Sequence, residues 1–396
     1  MKTAPVSIAR QSVAAPRGAA AGTRPVLILT IDNGAAHTKA AEAIAAAWRR
    51  GGAANPVEIV EVSTMMSPFA RFTHVSLYLW LVKNAPAVWQ RIDAYQKGRP
   101  ATSPDWFYRR ECRRLFDFAR AAGPAALVAT EVGCLEIAAL VKRDLGLDVP
   151  LAAVNLDYDG DRAWVRPEVD LYCLATESVA AELGRHGAAR EKIRVWGVPL
   201  AAEFGLVDAA ERGRTRTEIC EALELRPFKP LILVAGGGEG LGRIEEIVRR
   251  LAPLPVQLVV LTGRNARLKA RLERIAPPAT VRILGWTRQM PDLMKAADFS
   301  ISKLGLSFYE ATACGLPIVA LPPPPGAERA QYEFLAQTGI GRAVKTLDEL
   351  ARTVLELLEN PNLLRRMRNR LGALGQRTAA DELAGWLTEE ITKLDV

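Results

Sequence analysis

Apolar and polar positions alternate along this chain in a repeating grammar. Residues 26–31, Val-Leu-Ile-Leu-Thr-Ile, form a short run without a charged position. A glycine-bearing turn follows at 32–37, and then an Ala-rich segment at 38–50 that suits a helix. A short run that is apolar on both faces reads as a buried strand of a parallel sheet. Strand, tight loop and helix in that order open a doubly wound α/β unit. Further short runs at 57–62, 126–129, 151–154 and 171–174 repeat the pattern, with helix-like segments such as 135–145 between them.

The grammar restarts at Lys229-Pro230. Leu231-Ile232-Leu233-Val234 predicts a second buried strand, Gly236-Gly237-Gly238-Glu239-Gly240 a loop, and Ile244 the start of a helix. Strand candidates recur at 257–261, 281–284, 299–301 and 318–321. Two successive α/β units without sequence repetition predict two Rossmann-like domains, which suits a chain of 396 residues. The expected organisation is a disordered basic tail at 1–24, a first domain at 25–200 and a linker at 201–226. A second domain at 227–375 and a final helix at 376–396, returning to the first domain, complete it.

Composition narrows the setting. About half of the residues are apolar and a quarter charged, as in ordinary globular domains. The apolar stretch at 75–82 ends at Lys83, far short of the roughly 20 residues a spanning helix needs. Five scattered cysteines without a Cys-x-x-Cys pair argue against a disulfide framework or structural zinc and suit a reducing cytoplasm. Residues 1–24 are rich in Ala, Arg, Ser and Pro, and lack the apolar core of a signal peptide.

The net charge of +8 points to anionic partners. It concentrates at 71–120, where ten basic residues face four acids and aromatics such as Trp80, Trp89 and Trp106 are interleaved. Basic and aromatic residues together suit an anionic lipid surface, with Arg109, Arg110, Arg113 and Arg114 as the contact; a solvated helical face is the competing reading. No nucleic-acid motif accompanies the charge, so no nucleic-acid partner is expected.

Candidate chemistry lies at 298–331. A strand ends in Ser302-Lys303-Leu304-Gly305-Leu306-Ser307 and a helix begins. A helix N-terminus presents free N–H groups and a positive dipole end, which suits a diphosphate. Glu310, one turn in, is placed to accept hydrogen bonds from a ribose; a surface Glu is the plainer alternative. The loop at 236–242 carries Leu241 where a dinucleotide fingerprint needs its third glycine, and neither half has a Walker A sequence. Gly236, Gly237 and Gly238 form a second candidate phosphate loop, expected to face the first across a cleft.

Residues 298–303 and 310–318 resemble the donor-binding region of the lipid glycosyltransferases, the monogalactosyldiacylglycerol synthases and processive diacylglycerol glucosyltransferases. Further likenesses follow in the same order. They are the opening strand and Gly-x-x-His loop at 26–41, Asp157 and Trp164 with the block 168–172, the passage 192–199, Thr262-Gly263-Arg264-Asn265, and Leu284-Gly285-Trp286. The resemblance implies a GT-B fold, two Rossmann-like doubly wound domains facing across a cleft. It implies a lipid acceptor on the first domain, diacylglycerol or a glycosyldiacylglycerol, and a UDP-sugar on the second.

It further implies inversion at the sugar with no cofactor and no metal, and a peripheral enzyme on the inner face of the cell membrane. His37, which matches the family's loop histidine, becomes the expected base, with Gly34 giving its loop freedom and Asp32 a candidate to orient the ring. Donor contacts are expected from Gly236, Gly237, Gly238, Arg264, Lys303, Gly305, Ser307, Glu310, Glu328 and Gln331, and acceptor contacts from Asp157 and Trp164.

The chain also departs from the family pattern. Lys303-Leu304-Gly305-Leu306-Ser307 stands for Lys-Pro-Gly-Gly-x-Thr, one residue shorter before Glu310, and Ala327 and Gln331 replace Gln and Asn in the sugar-contact segment. A homologue with another donor or acceptor, or one that binds lipid or nucleotide without transfer, is therefore the alternative reading.

Overall fold

A computed structural model describes residues 24–32, 35–275, 279–323, 328–374 and 379–394. The expected tail at 1–24 lies outside them apart from Arg24.

Two parallel six-stranded sheets organise the chain. The first is ordered β2-β1-β3-β4-β5-β6. Its strands are β1 (Val26–Thr30), β2 (Val57–Glu61), β3 (Ala126–Ala129), β4 (Leu151–Val154), β5 (Leu171–Cys173) and β6 (Ile193–Arg194). The second is ordered β12-β11-β10-β7-β8-β9. It contains β7 (Leu231–Ala235), β8 (Gln257–Leu261), β9 (Val281–Leu284), β10 (Phe299–Ser302), β11 (Ile318–Ala320) and β12 (Gly341–Ala343). Strands β1, β3, β4, β7, β8 and β10 are buried at every position, because helices cover both faces, and this is why β3, β4 and β7 read as unbroken apolar runs while β1, β8 and β10 bury Thr30, Gln257, Ser300 and Ser302 among apolar residues.

In each sheet the winding direction reverses at one place: between β1 and β3 in the first, and between β7 and β10 in the second. Loops leave the carboxyl ends of these strands in opposite directions and open a crevice there, the usual ligand site of an open α/β sheet.

Helix α1 (Ala35–Arg50) follows β1 and buries Ala40, Ala41, Ile44, Ala47 and Trp48 on the first sheet. The helix Ala379–Leu394 joins the same core through Leu383, Leu387 and Ile391, and Arg50 pairs with Asp381 at 2.7 Å. The helix Ala209–Ala222 lies inside the stretch expected to be a linker, yet Ile219 and Cys220 pack in the core of the second sheet. From that helix Arg216 donates to the carbonyls of Pro227, Lys229 and Ala296 and pairs with Asp298 at 3.1 Å. Residues 209–222 are thus part of the second unit, because an arginine-rich helix anchors on carbonyls exposed where β7 begins and a neighbouring helix ends.

Between β2 and β3 the chain makes a helical excursion, at Val62–Met65, Pro68–Arg71, Leu77–Asn84, Pro86–Lys97, Asp105–Glu111 and Arg113–Ala122. Among the described residues no helix is long and apolar enough to cross a membrane.

Candidate active site in the cleft

His37 lies in the first turn of α1, just past the carboxyl end of β1. Its Nδ1 is 2.6 Å from the carbonyl oxygen of Thr130, the residue after β3. A carbonyl only accepts, so Nδ1 carries the proton and Nε2 keeps a lone pair. That is the tautomer a general base needs. Thr130, and not Asp32, orients the ring; Asp32 bears electrostatically on Glu61 at the end of β2. Burial holds the Glu61 carboxyl above its ordinary value, and its side chain caps the next helix by accepting from the Ser63 amide at 3.1 Å. Gly34 lies outside the described residues.

The second switch point carries the expected donor residues. Lys303 leaves β10, and the loop after β7 lies beside it: a Cβ placed on Gly237 would stand 3.2 Å from Lys303 Cε. The two glycine-bearing loops are therefore neighbours on adjacent strands of one sheet. The expectation that they oppose each other across the cleft is corrected by the order β10-β7, which the sequence does not encode locally. Part of the glycine loop is structural. Gly240 and Gly263 both hold left-handed φ, at 58° and 56°, and any Cβ there would approach backbone oxygens at 2.3 and 2.2 Å. Gly236 is closed in by Ile244 and Leu241, whereas Gly238 has open space and accepts from the Arg264 amide at 2.7 Å. Arg264 itself extends into solvent, 3.8 Å from Glu239.

Gly305 caps the helix Leu306–Ala313, which buries Ser307, Phe308 and Glu310. The amide of Leu304 donates to Glu328 at 2.7 Å, and Lys303 Nζ lies 2.7 Å from the same carboxylate. An internal carboxylate thus occupies the donors expected to meet a phosphate. Glu328 holds a left-handed φ of 57°, uncommon for a residue with a side chain. Residues 324–327, including Ala327, lie outside the described residues. Gln331 is buried and hydrogen-bonds Tyr309.

The two halves meet at this place. Lys39, on α1 two residues after His37, reaches Glu310 at 3.1 Å. Burial raises the Glu310 carboxyl above its ordinary value, and the Lys39 charge and hydrogen bond oppose that rise. Tyr309 Oη donates to the Leu156 carbonyl at 2.8 Å, and Tyr158 stacks on Tyr309 with ring centroids 5.7 Å apart, also touching Phe308 and Phe334. Asp157 is exposed in this same loop. Trp164 is only 4% exposed, in the first core, so it does not face a headgroup. Lys39, Glu61, Thr130, Tyr158 and Tyr309 escaped sequence reasoning. None has a local signature, since each matters through a contact with a distant segment.

The basic stretch divides. Arg109 is committed to Asp144 through two bonds, at 2.6 and 3.2 Å. Arg110, Arg113 and Arg114 are exposed. On the same excursion Phe69, Phe72, Trp80, Tyr95 and Trp106 expose half or more of their surface. His74 of this excursion stacks on Phe107 with centroids 5.0 Å apart and feels the charge of Glu131, which caps the helix Val132–Asp144 after β3. His74 therefore stands near the same carboxyl end of the first sheet as His37.

Residues 37–200 match the family model described as monogalactosyldiacylglycerol (MGDG) synthase, and residues 226–372 match the glycosyl transferases group 1 model. The two models match successive parts of the chain, the first over the unit built on the first sheet and the second over the unit built on the second sheet. Similar curated proteins include the processive diacylglycerol β-glucosyltransferases of Bacillus licheniformis, 29% identical over 238 residues, and Bacillus subtilis, 28% identical over 235. These matches cover 59% and 58% of this chain and 61% and 60% of those proteins, so the chain spans about three fifths of the relatives it matches.

Among solved structures, MurG of Acinetobacter baumannii superposes with a TM-score of 0.61 at 17% identity, covering 93% of this chain and 99% of that one. The calicheamicin glycosyltransferase CalG4 gives 0.59 at 15% identity, with 94% and 100% covered. HepE of Anabaena, in complex with UDP and glucose, gives 0.55 at 13%, with 94% and 99% covered. The fold is GT-B.

Proposed function

We propose that this protein is an inverting glycosyltransferase that moves a hexose from a UDP-sugar to diacylglycerol or a glycosyldiacylglycerol at a membrane surface. The observation that carries the reading is the pairing of the two switch points. His37, with Nε2 available, is brought by the Lys39–Glu310 contact of 3.1 Å against the helix expected to hold the donor. The acceptor oxygen attacks the anomeric carbon as the bond from that carbon to the diphosphate breaks. The acceptor proton passes to Nε2 of His37, and the electron pair leaves with UDP. Inversion of an α-linked nucleotide-sugar gives a β-glycoside, which agrees with the product named for the Bacillus relatives. Helix and loop N–H groups with Lys303 meet the diphosphate, so no metal or cofactor is required.

The exposed aromatics and Arg110, Arg113 and Arg114 support docking on an anionic bilayer, with rings at the headgroup level and guanidinium groups on phosphates. The site of action that follows is the cytoplasmic face of the cell membrane.

Purified protein incubated with radiolabelled UDP-glucose or UDP-galactose and diacylglycerol vesicles should yield a labelled glycolipid, and His37→Ala should slow its formation by about 10²–10⁴-fold. A folded protein whose melting temperature no UDP or UDP-sugar shifts at saturation would remove the reading. The alternative, nucleotide binding without transfer, has in its favour the loop Lys303-Leu304-Gly305-Leu306-Ser307, one residue short before Glu310. UDP binding with no turnover of any donor would select it.

A further inference from the structure

Lys39, two residues past His37, makes an ion pair that links the two halves at the candidate site. It springs from α1, whose first turn holds His37, and its side chain remains 45% exposed. Its partner Glu310 is 3% exposed, inside the helix Leu306–Ala313. A carboxylate in that position is costly to ionise unless a cation faces it. Among the described residues the titratable groups that bear on Glu310 are Lys39 from α1 and the Cys314 thiol of its own chain segment, which burial pushes up to about 12 and so leaves neutral. Lys39 is therefore the cation that faces it.

We propose that Lys39 is a positioning residue for the donor: reaching over from the acceptor half, it keeps the Glu310 carboxylate ionised and fixed, with acceptor capacity left for the ribose hydroxyls. This rests on the reading of the cleft as a UDP-sugar site. A carboxylate offers about four lone-pair sites, and one ammonium occupies only part of them. Lys39 thereby couples the helix of the base to the helix of the donor, so a donor is held firmly only where the halves are closed on each other.

UDP is the probe, titrated calorimetrically between pH 5.5 and pH 8 into wild type, Lys39→Met, Lys39→Arg, Glu310→Gln and the Met/Gln double variant. Lys39→Met should bind UDP on the order of tenfold more weakly at the acid end, with the deficit closing towards pH 8 as the unaided carboxyl ionises. Lys39→Arg should restore most of the affinity. Glu310→Gln should flatten the pH profile, and Lys39→Met added to it should cost nothing more.

Without nucleotide, the melting temperature of Lys39→Met should rise, relative to wild type, as pH falls. The native carboxyl then binds its proton before the unfolded one does, so acidification favours the native state. A Lys39→Met protein with wild-type affinity and pH profile, or one that weakens binding equally in the Glu310→Gln background, would overturn the proposal and leave the donor site standing. Wild-type protein that is folded but binds no UDP would overturn both.

Discussion

Removing the Glu328 carboxylate should make UDP bind more tightly, the opposite of what loss of a simple donor contact would do. Glu328 accepts from the Leu304 amide and lies against Lys303 Nζ, both at 2.7 Å. A hydrogen bond to a charged group is worth about 1.5–3 kcal/mol net. Lys303 is 37% exposed, so its ion pair belongs in the range of about 0.5–1 kcal/mol. A phosphate that displaces the carboxylate must recover this hold, at most about 2–4 kcal/mol, or about 30–1,000-fold in affinity. Alanine is disfavoured at the left-handed φ of residue 328 much as glutamate is, so the substitution tests the carboxylate more than the backbone. Isothermal titration of UDP and of UDP-glucose into both proteins gives the result. UDP should gain by up to that factor, and UDP-glucose should gain less wherever Glu328 also contacts the sugar. UDP affinity that is unchanged or lower in Glu328→Ala would refute the competition.

Other outcomes follow from the same geometry. His37→Ala should lower kcat by about 10²–10⁴-fold with UDP affinity kept, read by radiolabel transfer and titration. Charge reversal at Arg110, Arg113 and Arg114 together with Trp80→Ser and Trp106→Ser should reduce sedimentation with anionic vesicles, whereas reversal at Arg109 alone should change it less, because that side chain is held by Asp144. Glu136→Ala should destabilise the first domain by about 3–5 kcal/mol in denaturant, since it leaves Arg166 and the buried Tyr108 hydroxyl without their shared carboxylate. EDTA should leave turnover intact; a loss reversed by magnesium would show that a cation meets the diphosphate.

How much of this was legible in the sequence depends on the range of the information. Strands such as Val26–Thr30 and Leu231–Ala235 declare themselves because burial on both faces keeps charged residues out of the whole run. Loops at their carboxyl ends are equally plain, so His37 and Lys303 could be placed at crevice edges. What a run of residues cannot state is which strands become neighbours. The second glycine loop was expected across the cleft and lies beside Lys303, because β10 pairs with β7 in register from Phe299 opposite Ile232. Lys39 sits 271 positions from Glu310 and looks like any solvated lysine on an Ala-rich helix. Tyr158 likewise reads as a loop aromatic until Phe308, Tyr309 and Phe334 surround it.

Two lysines of the cleft are each bound to a carboxylate, and the two pairs differ in how readily they exchange. Glu310 is fixed within a helix and 3% exposed, so breaking its pair with Lys39 would leave a buried charge unpartnered. Glu328 stands at the head of the helix Arg329–Thr338 with its side chain 13% exposed, so once displaced it can turn to water, at the cost of its two contacts. An entering diphosphate therefore takes the donors of the second pair and spares the first. The same asymmetry gives the two substitutions opposite signs: loss of Glu328 tightens UDP, and loss of Lys39 loosens it. Cleft residues acting only as a shared pool of charge would give the same two signs, since losing an acid favours an anionic ligand and losing a base opposes it; the pH profile separates the two accounts, because a mere charge pool would leave that of Lys39→Met parallel to wild type.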